Sequence, residues 1–452
     1  MNLFRRSQHH RSCLLSLLLL ILTCVSCAGP GKSSTAPLPP LADRNKLILF
    51  GVDGADWDVI RPLIDAGKLP NFKRVVEGGS SGTLQSMEPT LSPALWTTVA
   101  TGMPPGIHGI EDFIVHLPGG DIKPVSSDMR KVPAFWNLVG ERDGHREVGV
   151  VAWLASWPAE AVHGYVVTSY LPYLYNWSTG RPLKGTVVEG IPRQTYPEAL
   201  LAEIEPLKVK PEAVSPELIA HFYDAQRLGE LGKDASECVE GFLWSLASDE
   251  TYRRIGLHLF QQRPVDLFAI YFGGVDVVSH RFWKFTWPGA MPYDADPREA
   301  EILKGVIPAY YAYIDGILGE FLAKMDARTT LVIVSDHGFK PVYVPNKPTT
   351  SGHHRLEGVL ALYGRGINKG TTLEGAELLD VFPTVFALLG EPLSRQLPGK
   401  VLAQAFQLPT SGRVHLDYVD AYPPLPSRAS SAPSEAIDAN VLERLKSLGY
   451  IR

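Results

Sequence analysis

The chain has 452 residues, enough to bury one large core or two modest ones. Its 45% hydrophobic and 20% charged residues are those of a folded globular protein, not of a disordered or fibrous one. A net charge of −5 offers no general basic surface, so no nucleic-acid binding is expected.

At the N-terminus, Arg5, Arg6 and Arg11 precede an apolar run from Leu14 to Val25, shorter than the roughly 20 residues of a spanning helix. This is the pattern of a basic n-region and an h-region, so residues 1–27 are expected to be an export signal. Ser26-Cys27 at its end resembles the lipidation site of bacterial lipoproteins; an ordinary cleaved secretory peptide is the alternative. The lipoprotein reading implies a lipid anchor on Cys27, attachment to a membrane, and a periplasmic or cell-surface location. A Ser/Pro linker follows over 28–45. With Cys13 and Cys24 in the targeting segment and Cys27 lipidated, Cys238 is left without a disulfide partner.

Lys46–Val52 is an apolar run ending at Asp53, the pattern of a strand buried on both faces. Similar runs recur at Val148–Trp153, Val265–Phe272, Leu331–Val334 and Val359–Tyr363, with helical stretches such as Trp57–Ala66 and Ala309–Met325 between some of them. This alternation predicts an α/β fold, a mostly parallel sheet with helices on both faces. The segment 170–248 breaks the alternation and reads as an insertion, a cap over the sheet. Residues 407–434 read as a loop-rich tail, and 435–452 as a C-terminal helix stopped by Gly449.

In parallel sheets ligands bind beyond the carboxyl ends of the strands, and Asp53, Asp276 and Asp336 all follow such ends. Asp276 and His280 are four apart and share a face if that turn is helical. Asp336 and His337 can reach one cation only where the chain leaves its strand, and Gly338 permits such a turn. Either His353 or His354 would add a further ligand. Ser92 heads a helix delimited by Pro93 at its first position and Gly102 after its last turn. It is a helix cap on one reading and a nucleophile on another; Thr90 is the competing hydroxyl. Without a nearby imidazole base, Ser92 as a nucleophile depends on a metal. Together these motifs supply three carboxylates, three usable imidazoles and one nucleophilic oxygen, enough for two divalent metals and displacement at phosphorus.

The chain resembles the alkaline phosphatase superfamily, in particular its type I phosphodiesterase/nucleotide pyrophosphatase branch, over about Lys46 to Phe406. The resemblance is carried by Gly51-Val52-Asp53-Gly54, by Pro89-Thr90 through Thr101-Gly102, and by Pro105-Gly106-Ile107-His108-Gly109. Asp276 to His280, Ser335-Asp336-His337-Gly338-Phe339 and Gly352 to Gly358 continue it in the same order. It implies an alkaline-phosphatase-like three-layer sandwich over 46–406 and two divalent metal ions, zinc in the family. Asp53, Asp336 and His337 would hold one zinc, and Asp276, His280 and His354 the other. Ser92 would be nucleophile and metal ligand, and His108 a structural hydrogen-bonder.

The sequence departs from the family where nucleotide pyrophosphatases carry an Asn for a phosphoryl oxygen: here it reads Ile110-Glu111-Asp112-Phe113. The sulfatase motif is missing after Ser92 as well. The expected activity is therefore hydrolysis of a small-molecule phosphate ester, a phosphodiester first, through a phosphoseryl enzyme. A phosphomonoesterase or phospho-group transferase on the same site is one alternative, and a non-catalytic lipid-anchored binding protein another.

Overall fold

The computed structural model describes residues 45–425 apart from 117–121, 142–145, 170–172, 175–185, 188–191, 294, 345–348 and 408–415. The expected signal segment with Cys27, most of the linker, and the C-terminal helix lie outside the described residues.

Nine strands form one sheet: β1 (Lys46–Val52), β2 (Ser80–Gln85), β3 (Val148–Val151), β4 (Gly164–Val167), β5 (Thr195–Tyr196), β6 (Leu267–Phe272), β7 (Thr329–Val334), β8 (Glu357–Gly364) and β9 (Thr371–Glu377). Their spatial order is β9-β2-β8-β7-β1-β6-β3-β4-β5. β1 pairs in parallel with both β6 and β7, while β8 runs antiparallel to β7 and to β2, and β5 antiparallel to β4. The sheet is mixed and mostly parallel, the α/β class that the alternating pattern predicts.

Alternation along each apolar strand divides its side chains between two cores. Ile48, Phe50 and Val52 of β1, with Phe268, Ile270 and Phe272 of β6, enter one core. It is covered by helices α1 (Trp57–Asp65), α2 (Pro70–Gly78), α4 (Lys233–Gln262), α5 (Gly274–Thr286) and α6 (Val306–Leu322). Leu47 and Leu49, with Leu267 and Ala269, enter the other, beneath α3 (Ser92–Thr101) and α7 (Val381–Leu389). Each fully buried side chain of this size contributes roughly 1.5–3 kcal/mol. A strand apolar at every position is thus the natural centre of a three-layer sandwich. Cys238 is buried and free, and among the described residues no helix is long and apolar enough to cross a membrane.

Several boundaries differ from the sequence expectation. The run expected over Val148–Trp153 stops at Val151, because Ala152 takes a left-handed backbone (φ 65°) and turns the chain out of the sheet. The helix expected from Ala309 begins at Val306, since Pro308 in a first turn loses no intrahelical bond. Helix α4 runs through Ser248, where the inserted segment was expected to end. Within that segment Thr195–Tyr196 joins the sheet edge, while Phe222 and Tyr223 pack against Phe242 of α4. These described parts lie on the sheet edge and on the helix layer.

Helix α5 is held at its start by Asp249 of α4. Its carboxylate accepts from Gly273 N at 3.3 Å, Gly274 N at 3.0 Å and the Tyr310 hydroxyl at 2.9 Å. The approach requires glycine: a Cβ on Gly274 would lie 1.8 Å from the Tyr310 hydroxyl oxygen and 2.4 Å from Asp249 Oδ2. Burial pushes the Asp249 carboxyl up to about 7, against the opposing pull of the Tyr310 and Gly274 donors. The folded value lies above the unfolded one of about 3.9. The native state therefore binds the extra proton between roughly pH 4 and 7, and this contribution to stability is lost as pH rises through that window. Asp249→Asn cannot titrate, so its urea-unfolding free energy should fall less than the wild type's from pH 4 to 7. Equal slopes would contradict this. Asp249→Ala, which leaves two buried N–H groups unpaired, should cost roughly 1–3 kcal/mol.

Candidate active site

Five segments meet at the carboxyl end of the central strands. Asp53 follows β1, Asp336 and His337 follow β7, and Asp276 and His280 stand one turn apart on α5, which follows β6. His354 comes from a two-stranded hairpin, Gly338–Pro341 against Gly352–Arg355, that links β7 to β8. Because β8 is antiparallel to β7, the chain must reverse at this end of the sheet, and the reversal carries the hairpin there. Ser92 arrives on α3 from the opposite layer.

The helix begins at Ser92, with Leu91 as its cap residue and no side-chain capping bond. Expected as the N-cap, Ser92 instead donates its hydroxyl to Asp53 Oδ1 at 3.5 Å. Gly102 ends the helix in the left-handed conformation at φ 68°, as its position in the sequence suggests. Thr90 contributes its backbone carbonyl, which lies 2.7 Å from His354 Nδ1. Gly338 is needed for space and not for a turn: a Cβ there would fall 2.4 Å from Glu357 O and 2.7 Å from Asp56 Oδ2.

The cluster is dense and nearly dry, with Asp53, Ser92, Asp276, Asp336 and His337 all buried. His337 Nε2 lies 3.2 Å from Asp53 Oδ1, 3.6 Å from Asp336 Oδ2 and 3.8 Å from Asp276 Oδ1. Asp276 Oδ1 lies 3.1 Å from His354 Nε2 and 3.4 Å from His280 Nε2. The ligand atoms of Asp53, Asp336 and His337 lie within 4.8 Å of one another, as do those of Asp276, His337 and His354. His337 therefore stands within reach of both groups, and His280 flanks the second. His353 is exposed and turned away from the cluster by strand alternation, opposite Lys340.

Charge and hydrogen placement both call for cations. Burial and the neighbouring Asp53 hold the Asp336 carboxyl well above the usual range. Burial also acts to raise Asp276, but the His280 and His354 imidazoles outweigh it and hold that carboxyl well below. His280 Nδ1 lies 2.8 Å from Gly352 O, and His354 Nδ1 2.7 Å from Thr90 O. A carbonyl only accepts, so each Nδ1 carries a hydrogen and each Nε2 is the ring nitrogen turned toward the cluster. These two Nε2 atoms face each other at 2.8 Å. Asp336 Oδ2 and His337 Nε2 are buried without a hydrogen-bond partner. The facing Nε2 atoms, the orphaned buried atoms and the carboxylates form a donor set that fits divalent cations with N/O preference.

His108 stays outside the cluster, fully buried between the Thr98 hydroxyl at 3.1 Å and the Ile110 N–H at 3.1 Å. Burial pushes it down to about 4, so it is a neutral pin for the loop after α3.

Sequence reasoning missed three neighbours of the site. Tyr271 donates its hydroxyl to Asp53 Oδ2 at 2.6 Å, and Trp96 Nε1 donates to the same oxygen at 3.1 Å. Asp56, fully buried, accepts from Phe339 N at 2.7 Å and from the Arg355 guanidinium, tying the turn after β1 to the histidine hairpin. Trp96 carries a readable signal, one helical turn beyond Ser92; Tyr271 sits in an apolar strand and carries none.

Comparison with known proteins places this geometry. The sequence profile of the type I phosphodiesterase / nucleotide pyrophosphatase family matches residues 47–381. No curated protein matches. Among solved structures, human ectonucleotide pyrophosphatase/phosphodiesterase 5 superposes with TM-score 0.47 at 13% identity, covering 79% of this chain and 98% of that one. A variant of the alkaline phosphatase PafA gives TM-score 0.47 at 13% identity over 82% and 100% of the two chains. Phosphonoacetate hydrolase from Sinorhizobium meliloti 1021, in complex with phosphonoformate, gives TM-score 0.38 at 18% identity over 67% and 58%. With its profile matched from the first strand to the start of α7, the chain belongs to the type I phosphodiesterase/nucleotide pyrophosphatase family of phosphoester hydrolases.

Proposed function

We propose that the protein hydrolyses small-molecule phosphodiesters with two bound divalent cations, zinc first among candidates, through a phosphoseryl intermediate on Ser92. The observation that carries this reading is the convergence of one serine hydroxyl with three buried carboxylates and three imidazoles, two of which face each other at 2.8 Å. Asp53, Asp336 and His337 would hold one cation, and Asp276, His280 and His354 the other, with Ser92 beside the first. Bound there, the metals supply Lewis acidity that stabilises negative oxygen and makes hydroxyl groups acidic near neutral pH.

The chain's own residues organise the rest. Ser92 stands at the first position of α3, where the positive end of the helix dipole favours an anionic phosphoryl group. Its hydrogen bond to Asp53 Oδ1 orients the hydroxyl oxygen. Ser92 Oγ bonds to phosphorus as the bond to the leaving alkoxide breaks, and the serine proton leaves with the alcohol. Water then attacks the phosphoserine, its proton returning to Ser92 as a phosphate monoester departs. The burial of Asp53, Asp336 and His337 keeps bulk water from these groups.

Ser92→Ala should lower turnover of bis(p-nitrophenyl) phosphate at least about a thousandfold while keeping two zinc ions per chain. Wild-type turnover in that variant would reduce Ser92 to a structural residue. Chelation should abolish activity and added zinc restore it; full activity in exhaustively chelated protein would contradict the metal requirement. Faster cleavage of bis(p-nitrophenyl) phosphate than of p-nitrophenyl phosphate is expected. The reverse order would favour a phosphomonoesterase, transfer to added alcohols a transferase, and inertness toward both esters a binding protein. The lipid-anchored, exported setting belongs to the same proposal, and mass spectrometry of the mature N-terminus tests it. A lipid adduct on Cys27 is expected, and an unmodified cleaved terminus would contradict it.

A further inference from the structure

The two oxygens of Asp53 are treated differently by their surroundings. Oδ1 faces Ser92 Oγ at 3.5 Å and His337 Nε2 at 3.2 Å. Oδ2 faces the protein and accepts from the Tyr271 hydroxyl at 2.6 Å and from Trp96 Nε1 at 3.1 Å. Neither donor belongs to the ligand set, and both come from elements that carry other parts of the site. Trp96 stands four residues after Ser92 on α3, so one helix face presents the hydroxyl to one carboxylate oxygen and the indole N–H to the other. Tyr271 stands on β6, which leads into the helix bearing Asp276 and His280.

The arrangement is built into the packing. Trp96 is fully buried, and its ring lies where a side chain at position 51 would be: a Cβ on Gly51 would meet the indole at 2.7 Å. Gly51 thus makes room for the indole two residues before the carboxylate it binds. Tyr271 and Trp153 both meet the Trp96 ring edge-on, at centroid distances of 5.0 and 5.2 Å. Trp153 Nε1 also donates to the Trp96 carbonyl at 3.0 Å. The indole is therefore fixed on several sides, and its N–H can point only at Asp53.

A carboxylate free to rotate can chelate a cation with both oxygens or swing away from it. Two hydrogen bonds on one oxygen remove that freedom and draw charge away from it, leaving the other as the available ligand atom. We propose that Trp96 and Tyr271 are positioning residues that hold Asp53 as a one-oxygen ligand, so that Oδ1 alone is offered to the cation beside Ser92. This inference rests on the two-cation reading and deepens it: helix α3 sets the nucleophile and the adjacent ligand in a single register.

The test is zinc affinity measured by competition with a chromophoric chelator, together with the visible spectrum of the cobalt(II)-substituted protein. Wild-type chain should bind two zinc ions. Tyr271→Phe, which removes one hydroxyl, should weaken one zinc about tenfold or more, leave the other unchanged, and shift the cobalt spectrum. Trp96→Phe should weaken the same zinc, and the double variant should weaken it further. His280→Ala, the control, should weaken the other zinc. Tyr271→Phe is close to isosteric, and an unchanged metal-free circular dichroism spectrum checks its fold should Trp96→Phe prove unstable. If the wild type binds two zinc ions and Tyr271→Phe keeps both affinities and the cobalt spectrum, the positioning role is overturned while the two-cation reading stands. If the wild type binds no zinc, the two-cation reading fails, and this inference with it.

Discussion

Three carboxylates and three imidazoles are packed together in a mostly buried space at one end of the sheet. Elsewhere in the molecule buried charge is neutralised locally: Arg130 is held by Glu160 at 2.7 Å, and Arg355 by Asp56. In the cluster the neighbours of the carboxylates are imidazoles, and those of His280 and His354 have their Nδ1 hydrogens committed to backbone carbonyls. Desolvated like charges are costly, so the arrangement is sustained by a fold that enforces it.

The fold enforces it through the middle of the sheet. β6, β1 and β7 are adjacent and parallel, so their carboxyl ends deliver Asp276, Asp53 and Asp336 to one edge. Because these strands are apolar on both faces, a shift of one residue would exchange the two cores, and the register is strongly specified. Polar anchors then fix the flexible pieces. Asp249 grips the start of the helix that carries Asp276 and His280, and Asp56 grips the hairpin that carries His354. Asp315, on α6, accepts from Phe72 N at 2.7 Å and so ties the start of α2 to the same layer. These acids shape the site without entering it.

Strands buried on both faces were legible in the sequence, because an unbroken apolar run of six or seven residues has few other uses. Asp53, Asp276, Asp336 and His337 were legible for the related reason that each comes after such a run. Ser80-Ser81-Gly82-Thr83-Leu84-Gln85 could not be read as a strand. It is polar and contains glycine, and it forms because β8 and β9 flank it, with Leu373 O 2.2 Å from where a Gly82 Cβ would be. The choice between His353 and His354 was open to residue chemistry and rested on family resemblance. In the structure it follows from hairpin pairing, which sets His354 across from Phe339 and His353 across from Lys340. Trp96 and Tyr271 were hidden because their rings read as core while their polar tips serve Asp53. No pattern of hydrophobicity distinguishes the two uses.

The central claim is that the cluster exists to hold two cations beside a serine. Diffraction from zinc-soaked crystals at the zinc absorption edge tests it most directly. The account predicts two anomalous peaks, one among Asp53, Asp336 and His337 and one among Asp276, His280 and His354. Crystals soaked to saturation with no anomalous peak among these side chains would contradict it.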